Sequence, residues 1–363
     1  MNYNESNKVV MTLDAGGTNF VFSAMQGGRQ VVEPFGLSAV TDDIVGCLNV
    51  LYKGFSQVRE LCPEAPVAIS FAFPGPADYA HGVIGDLPNF PSFRGGVAMG
   101  PWLEDKFKMP VFINNDGALF AYGEAMAGAL PALNEKLHSK GSKKQYHNLV
   151  GITLGTGFGG GAVVDGRLIV GDTSNGGSVW CFRNKLHPSL IAEESVSIRA
   201  VKRVYRELSG DNRDLTPKDI SDIAKKKANG DCEAALRSFA ELGEAAGDAI
   251  AMACCIVDGI VVIGGGVACS ADLIFPSLVN EMNSLLVMNS GRKVQHMPMQ
   301  AFNLEDSNDA ERFFASDSSM VTVPGSSRKV SYNKDKSIAV MVSRLGTSNS
   351  IALGAYAYAL ENM

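Results

Sequence analysis

Blocks of apolar and polar positions set out strands and helices in a definite order. Lys8 to Leu13 is a short, mostly apolar run, the pattern of a buried strand, and it ends at Asp14-Ala15-Gly16-Gly17-Thr18-Asn19. Phe20 to Met25 predicts a second strand, Gly27-Gly28 a tight turn and Gln30 to Phe35 a third strand. Thr41 is the expected start of a helix, with Asp42 and Asp43 in a first turn where the backbone dipoles favour anions. Ile44, Leu48, Leu51, Phe55 and Val58 recur at helical spacing, and Pro63 ends the run. Val67 to Phe71 predicts a further strand leading into Phe73-Pro74-Gly75-Pro76.

The same order returns about 140 residues later. His147 to Leu154 predicts a strand, ending at Gly155-Thr156-Gly157-Phe158-Gly159-Gly160-Gly161. Ala162 to Val164 is the next strand, Asp165-Gly166 the turn and Arg167 to Val170 the third strand. Two copies of one α/β unit, and so a two-lobed molecule, are the economical inference. The lobe boundary is expected near Asp116 to Gly128, giving a small lobe over 1–117 and a larger one over 118–346. The closing helix, about 347–363, could return to the first. Further on, Glu193 to Leu208 and Cys232 to Val257 read as helices, Ile260 to Ile263 as a buried strand, Ile338 to Val342 as a strand and Ser350 to Leu360 as a helix. Gly291 to Lys336 is polar and irregular, with Pro324-Gly325 as a turn, and reads as an insertion.

Composition narrows the function classes. With 363 residues the chain is long enough for about two domains, and 46% hydrophobic against 19% charged residues excludes global disorder. A net charge of −6 argues against a general nucleic-acid binder or a polybasic membrane-surface protein. The seven cysteines are odd in number and hold no C-x-x-C pair, which fits reduced thiols in the cytoplasm. Met1 to Val10 has no apolar signal core. Ala249 to Cys269 approaches the length of a membrane span, but Asp258-Gly259 and Gly264-Gly265-Gly266 break it. The expected protein is cytoplasmic, without membrane or nucleic-acid partners.

Three places carry candidate chemistry. Gly155, Gly157 and Gly160 fit G-x-G-x-x-G, yet a strand follows where a dinucleotide-binding fold needs a helix. A glycine loop between antiparallel strands can still cradle phosphate through backbone N–H groups, and Gly16-Gly17-Thr18 has the same setting. Each loop taken alone could equally be an ordinary hairpin turn. Asp14, at a strand end, suits Mg²⁺ or simply caps the turn. Asp116 lies where the Val111 to Ile113 strand gives way to the Ala118 to Ala127 helix. It could be a general base for a sugar hydroxyl or a plain helix cap.

Taken together these segments resemble the ROK family (repressor, open reading frame, kinase) of the actin-like ATPase superfamily. The resemblance runs, in family order, through Asp14 to Asn19, Phe73-Pro74-Gly75-Pro76-Ala77-Asp78, Pro88-Asn89-Phe90-Pro91, Asn115-Asp116 with Gly123-Glu124, Leu154 to Gly161, Ile263 to Val267, and Leu345-Gly346 with Leu353-Gly354-Ala355. It implies a two-lobed actin-like ATPase (ribonuclease H-like) fold, with a duplicated β-meander, flanking helices and a cleft between the lobes. It also implies an ATP-dependent, glucokinase- or hexokinase-like sugar kinase. Asp116 would be the base, with Asn115 and Asn89 on sugar hydroxyls. Glu193 aligns with the family's sugar-binding glutamate, with Glu194 a near competitor. Asp14 would help place Mg²⁺, through water. Gly16, Gly17, Thr18, Asn19, Gly155, Thr156 and Gly157 would line the ATP phosphates, and Gly265 and Gly266 would approach the adenosine. A homodimer is implied in the same way.

The chain also departs from the family. Where the family reads G-E-I-G-H, Gly177-Ser178-Val179-Trp180-Cys181 stands, and the cysteine-rich zinc loop is missing, so no structural zinc is expected. The loss of a sugar-contacting glutamate bears on which hydroxyl pattern is accepted. Two other readings are a catalytically degenerate sugar- or nucleotide-binding protein and a sugar-responsive transcription regulator. Only thirteen residues before Asp14 leave no room for a helix-turn-helix domain within this sequence.

Overall fold

The computed structural model describes residues 6–15, 19–87, 90–315 and 319–363. The chain groups into two compact units, one of residues 1–128, 161–177 and 344–363, the other of 129–160 and 178–343. Residues 116–128, placed by the sequence across the boundary, belong to the first unit.

The first unit is built on a five-stranded sheet. Its strands are β1 (Val10–Ala15), β2 (Asn19–Gln26), β3 (Arg29–Ser38), β4 (Ala68–Ala72) and β5 (Val111–Asn114), in the order β3-β2-β1-β4-β5. The first three form an antiparallel meander, and β1, β4 and β5 run parallel. Helices cover both faces, which is why β1 is apolar at every position from Val10 to Leu13 except Thr12. Met11 and Leu13 join a cluster with Leu51 and Phe55 of helix α1 (Ile44–Leu61), whereas Val10 packs with Leu353 and Tyr356 of the C-terminal helix Thr347–Asn362. Helix α1 begins later than Thr41 suggests. Asp43 is its N-cap and accepts from the N–H groups of Val45 and Gly46, both at 3.0 Å.

Helix α2 (Asp116–Met126) lies against the C-terminal helix. A Cβ on Gly123 would fall on the carbonyl oxygen of Ser350, and one on Gly354 on that of Leu119, so only glycine permits this approach. That packing is the physical reason residues 116–126 group with the first unit rather than the second. Buried Glu124 accepts from the Ser350 hydroxyl at 2.6 Å across the same contact.

The second unit repeats the plan. Strand β6 (Leu149–Leu154) is followed in the sheet order by β7 (Phe158–Val164) and pairs in parallel with β8 (Ile260–Gly264). Beyond β8 come β10 (Ser337–Val342) and β9 (Gln300–Asn303), again parallel. Helices α3 (Ile198–Ser209), α4 (Cys232–Val257) and α5 (Ala271–Met282) supply most of its helical core. Three expectations change here. β7 starts at Phe158 instead of Ala162, so the glycine run is itself strand. Gly161, where the strand passes into the first unit, has to be glycine because a Cβ there would lie 2.7 Å from Ala118 Cα and from Gly117 O of that same unit. Segment 193–208 is a short 3₁₀ turn at Ala192–Glu194 and then α3, capped by Ser197. Segment 291–336 is not simply an irregular insertion. Gln300–Asn303 is a strand of the main sheet, paired from Gln300↔Ser337 to Asn303↔Val340, and its buried Ala301 and Phe302 were too short a run to stand out. Among the described residues no helix is long and apolar enough to cross a membrane.

Candidate active site

In the first unit the parallel strands deliver their C-terminal ends to one edge. The register pairs Asp14 with Ala72 and Ala72 with Asn114, so Asp14, Phe73 and Asn115-Asp116 emerge side by side. Ligands of open α/β sheets bind at this edge. Asn115 caps α2: the Gly117 N–H donates to its Oδ1 at 2.9 Å, and also to Asp116 Oδ1 at 2.9 Å. Asp116 reaches solvent, but the protein packed around it raises its carboxyl above the ordinary aspartate value; the Gly117 N–H opposes this and the charge of Asp14 adds to it. Asp14 is exposed at the end of β1.

Tyr79 completes this edge and has no signal in the sequence, since a single tyrosine has no periodicity. It is buried, donates from its hydroxyl to Phe73 O at 2.8 Å and takes a hydrogen bond from the Asn115 side chain. Burial raises its own pKa, so it stays a neutral phenol. It thereby fixes the amide that precedes Asp116.

In the second unit two glycine turns leave the ends of neighbouring parallel strands, 155–157 after β6 and 264–266 after β8. Gly265 has φ +90°, and a Cβ on it would fall on the Leu154 carbonyl, so it is required by the fold. Gly155 and Gly266 differ: a Cβ on either would meet no atom within 4 Å. The fold itself does not demand glycine there, and backbone is left open to something outside it. Thr156, between Gly155 and Gly157, is exposed.

Glu193 is tied to this loop. Its Oε2 accepts from the Phe158 N–H at 3.0 Å, and a Cβ on Gly157 would stand 2.5 Å from the same oxygen. Arg199 reaches Glu193 Oε1 at 3.5 Å and Glu194 Oε1 at 3.1 Å. Glu193 thus sits on the glycine loop, while Glu194 is more exposed and pairs only with Arg199 among the described contacts. Gly16, Gly17, Thr18 and Asn89 lie outside the described residues. Asn19 opens β2, paired with Ser38.

Comparison with known proteins decides the family. The model of the "ROK family" matches residues 10–179. The crystal structure of glucokinase from Parabacteroides distasonis is 54% identical, with a TM-score of 0.92 and all of both chains covered. This chain belongs to the ROK family. A Thermotoga maritima glucokinase is 27% identical over 161 residues, 44% of this chain and 45% of its own. At 18% identity, the ROK glucokinase of Streptomyces griseus in complex with glucose and AMPPNP shares the fold, with a TM-score of 0.60 over 96% of this chain and 98% of its own. The ROK chain thus has the actin-like ATPase fold that the family resemblance implies, and its matched segment includes the Asp14, Asn115-Asp116 and Gly155–Gly157 regions.

Proposed function

We propose that this ROK protein transfers the γ-phosphoryl group of ATP to a hydroxyl of a hexose, glucose first among candidates, with Asp116 as general base. That it is an ATP-dependent sugar kinase follows from its family and from full-length identity of 54% to a glucokinase. The finer reading rests on one observation: Asp116 sits at the carboxyl edge of three parallel strands beside Asp14, held by a helix N-terminus, with its carboxyl raised by the protein packed around it.

Phosphoryl transfer needs positioning and charge stabilisation more than covalent help. Asp116 takes the proton of the attacking hydroxyl. A base whose pKa is moved from the ordinary aspartate value toward the working pH suits that task. The backbone N–H of Gly117 holds the carboxylate in place. Asn115, fixed by Tyr79, and Asn89 bind sugar hydroxyls, as does Glu193, whose second link to Phe158 N–H joins acceptor binding to the glycine loop. Gly155, Thr156 and Gly157, with Gly16, Gly17, Thr18 and Asn19, line the phosphates, and Gly265 and Gly266 approach the adenosine. The open space above Gly155 and Gly266 supports this assignment. Asp14, an exposed carboxylate next to a second one, fits Mg²⁺, which takes few carboxylates, keeps several waters and neutralises phosphate charge.

The test is ADP release with Mg-ATP across neutral hexoses and N-acetylhexosamines, wild type beside Asp116→Ala. Glucose-dependent turnover that falls about 10²–10⁴-fold in the variant supports the reading. Equal turnover in both proteins removes Asp116 from the mechanism, and turnover with a different sugar reassigns the substrate. Folded protein that binds ATP but turns over no sugar points to a degenerate sugar-binding protein.

A further inference from the structure

Helices α4 and α5 of the second unit pack unusually closely. A Cβ on Gly243 would stand 2.5 Å from Ile274 O, and one on Gly247 2.5 Å from Leu278 O and 2.9 Å from Glu281 Cβ. The approach sets Asp248, next to Gly247, against Glu281. His296 enters from a third segment, just after a small hairpin of strands Leu285–Val287 and Lys293–Gln295. One ligand atom from each of Asp248, Glu281 and His296 lies within 4.8 Å of the others.

We propose that Asp248, Glu281 and His296 form a binding site for one divalent transition-metal ion, zinc being the best match, with water completing the coordination. The site is separate from the proposed Mg-ATP machinery, and its residues are not those of the missing cysteine loop.

The His296 side chain is only 8% exposed. Its Nε2 lies 3.8 Å from Asp248 Oδ1. Its Nδ1 lies 3.4 Å from Glu281 O and 3.7 Å from Glu281 Oε1. A nearly buried imidazole with a carboxylate close to each ring nitrogen is a ligand set that imidazole-plus-carboxylate metals use. Lys185 holds the far oxygen, Glu281 Oε2, and pairs with Glu244 at 3.2 Å, while the Ser284 hydroxyl donates to Oε1 at 3.2 Å. This outer layer orients the Glu281 carboxylate, as second shells of metal sites do. Charge points the same way. Three carboxylates, Asp248, Glu244 and Glu281, face one Lys185 ammonium, an excess of acidic groups, and Glu281 is 8% exposed. A dication offsets that excess. The ion would also fasten the hairpin, whose Leu285, Leu286 and Val287 are all exposed.

The experiment uses full-length protein, stripped with chelator and free of nucleotide, titrated with Zn²⁺ by calorimetry and followed by metal analysis after dialysis. Wild type should keep about one equivalent and melt about 5 °C higher with saturating Zn²⁺. His296→Gln and Asp248→Asn should lose the bound metal and the shift, and Asp14→Asn should keep both. Absence of stoichiometric Zn²⁺ in wild type overturns the proposal, as does binding that survives in both His296→Gln and Asp248→Asn. Should a variant fail to fold, Co²⁺ substitution in wild type decides alone: one equivalent with a visible d–d band of a nitrogen-and-oxygen site supports the assignment, and no band overturns it.

Discussion

The two units run the same strand order to different strand-end residues. In the first, β1 ends in Asp14 and β5 delivers Asn115-Asp116, so two carboxylates share one sheet edge. In the second, Leu154 and Gly264 end the corresponding parallel strands, and residues 153–157 and 263–267 contain no ionisable side chain. Backbone N–H groups are what that edge can offer, and the nearby carboxylate, Glu193, comes from a separate turn and is spent partly on the loop itself. Topology therefore chooses which edge is open to a ligand, and a few residues at the strand ends decide whether carboxylates or glycine backbone stand there.

The comparison can be broken most severely at Asp116. Asp116→Asn should lower sugar-dependent turnover about 10²–10⁴-fold in steady-state kinetics. Its stability should move the other way. The folded-state pKa is raised, so the ionised carboxylate weakens the fold at every pH above its unfolded pKa, and the neutral amide should melt no lower than wild type at pH 7. A large drop in melting temperature would show Asp116 to be a structural cap.

The glycines of the second unit should then divide into two kinds. Gly265→Ala, at φ +90° with the Leu154 carbonyl in the way, should cost about 2–4 kcal/mol in denaturant unfolding. Gly155→Ala, with open space around it, should unfold like wild type but raise the KM for ATP about tenfold. If Gly155→Ala leaves that KM unchanged, the loop does not carry phosphate.

Glu193→Gln keeps an acceptor for the Phe158 N–H but loses the charge that strengthens it, and should cost about 1 kcal/mol of stability. Its larger effect should be on the KM for the sugar, which sharpens whether Glu193 serves acceptor, loop or both. The smallest effect is in pH. Base function needs ionised Asp116, so kcat/KM should fall on the acid side at a pH above the ordinary aspartate pKa of about 3.9. Asp14→Asn removes a charge that raises Asp116 and should move the limb of its residual activity to lower pH.

What was legible in the chain was local. Each meander strand shows as an apolar run, the N-D-G junction announces a strand-to-helix turn, and the glycine loops break the pattern sharply. What was not legible depends on contacts between residues far apart in sequence. The strand Gln300–Asn303 is too short to separate from polar surroundings until β10 pairs with it. Tyr79 matters only because the Phe73 carbonyl and the Asn115 amide converge on its hydroxyl. Gly123 and Gly354 look like ordinary helix residues of lowered propensity until the two helices meet over them.

The sequence by itself determined the duplicated α/β plan, the positions of the loops and the presence of Asp14, Asn115 and Asp116 at strand ends, because periodicity and turn chemistry act over a few residues. Only the tertiary structure decided that Asp116 is raised beside Asp14, that Glu193 is bound to the glycine loop, and that Asp248, Glu281 and His296 meet at one point. Desolvation, charge coupling and ligand convergence are set by distances across the fold, and no spacing along the chain records them.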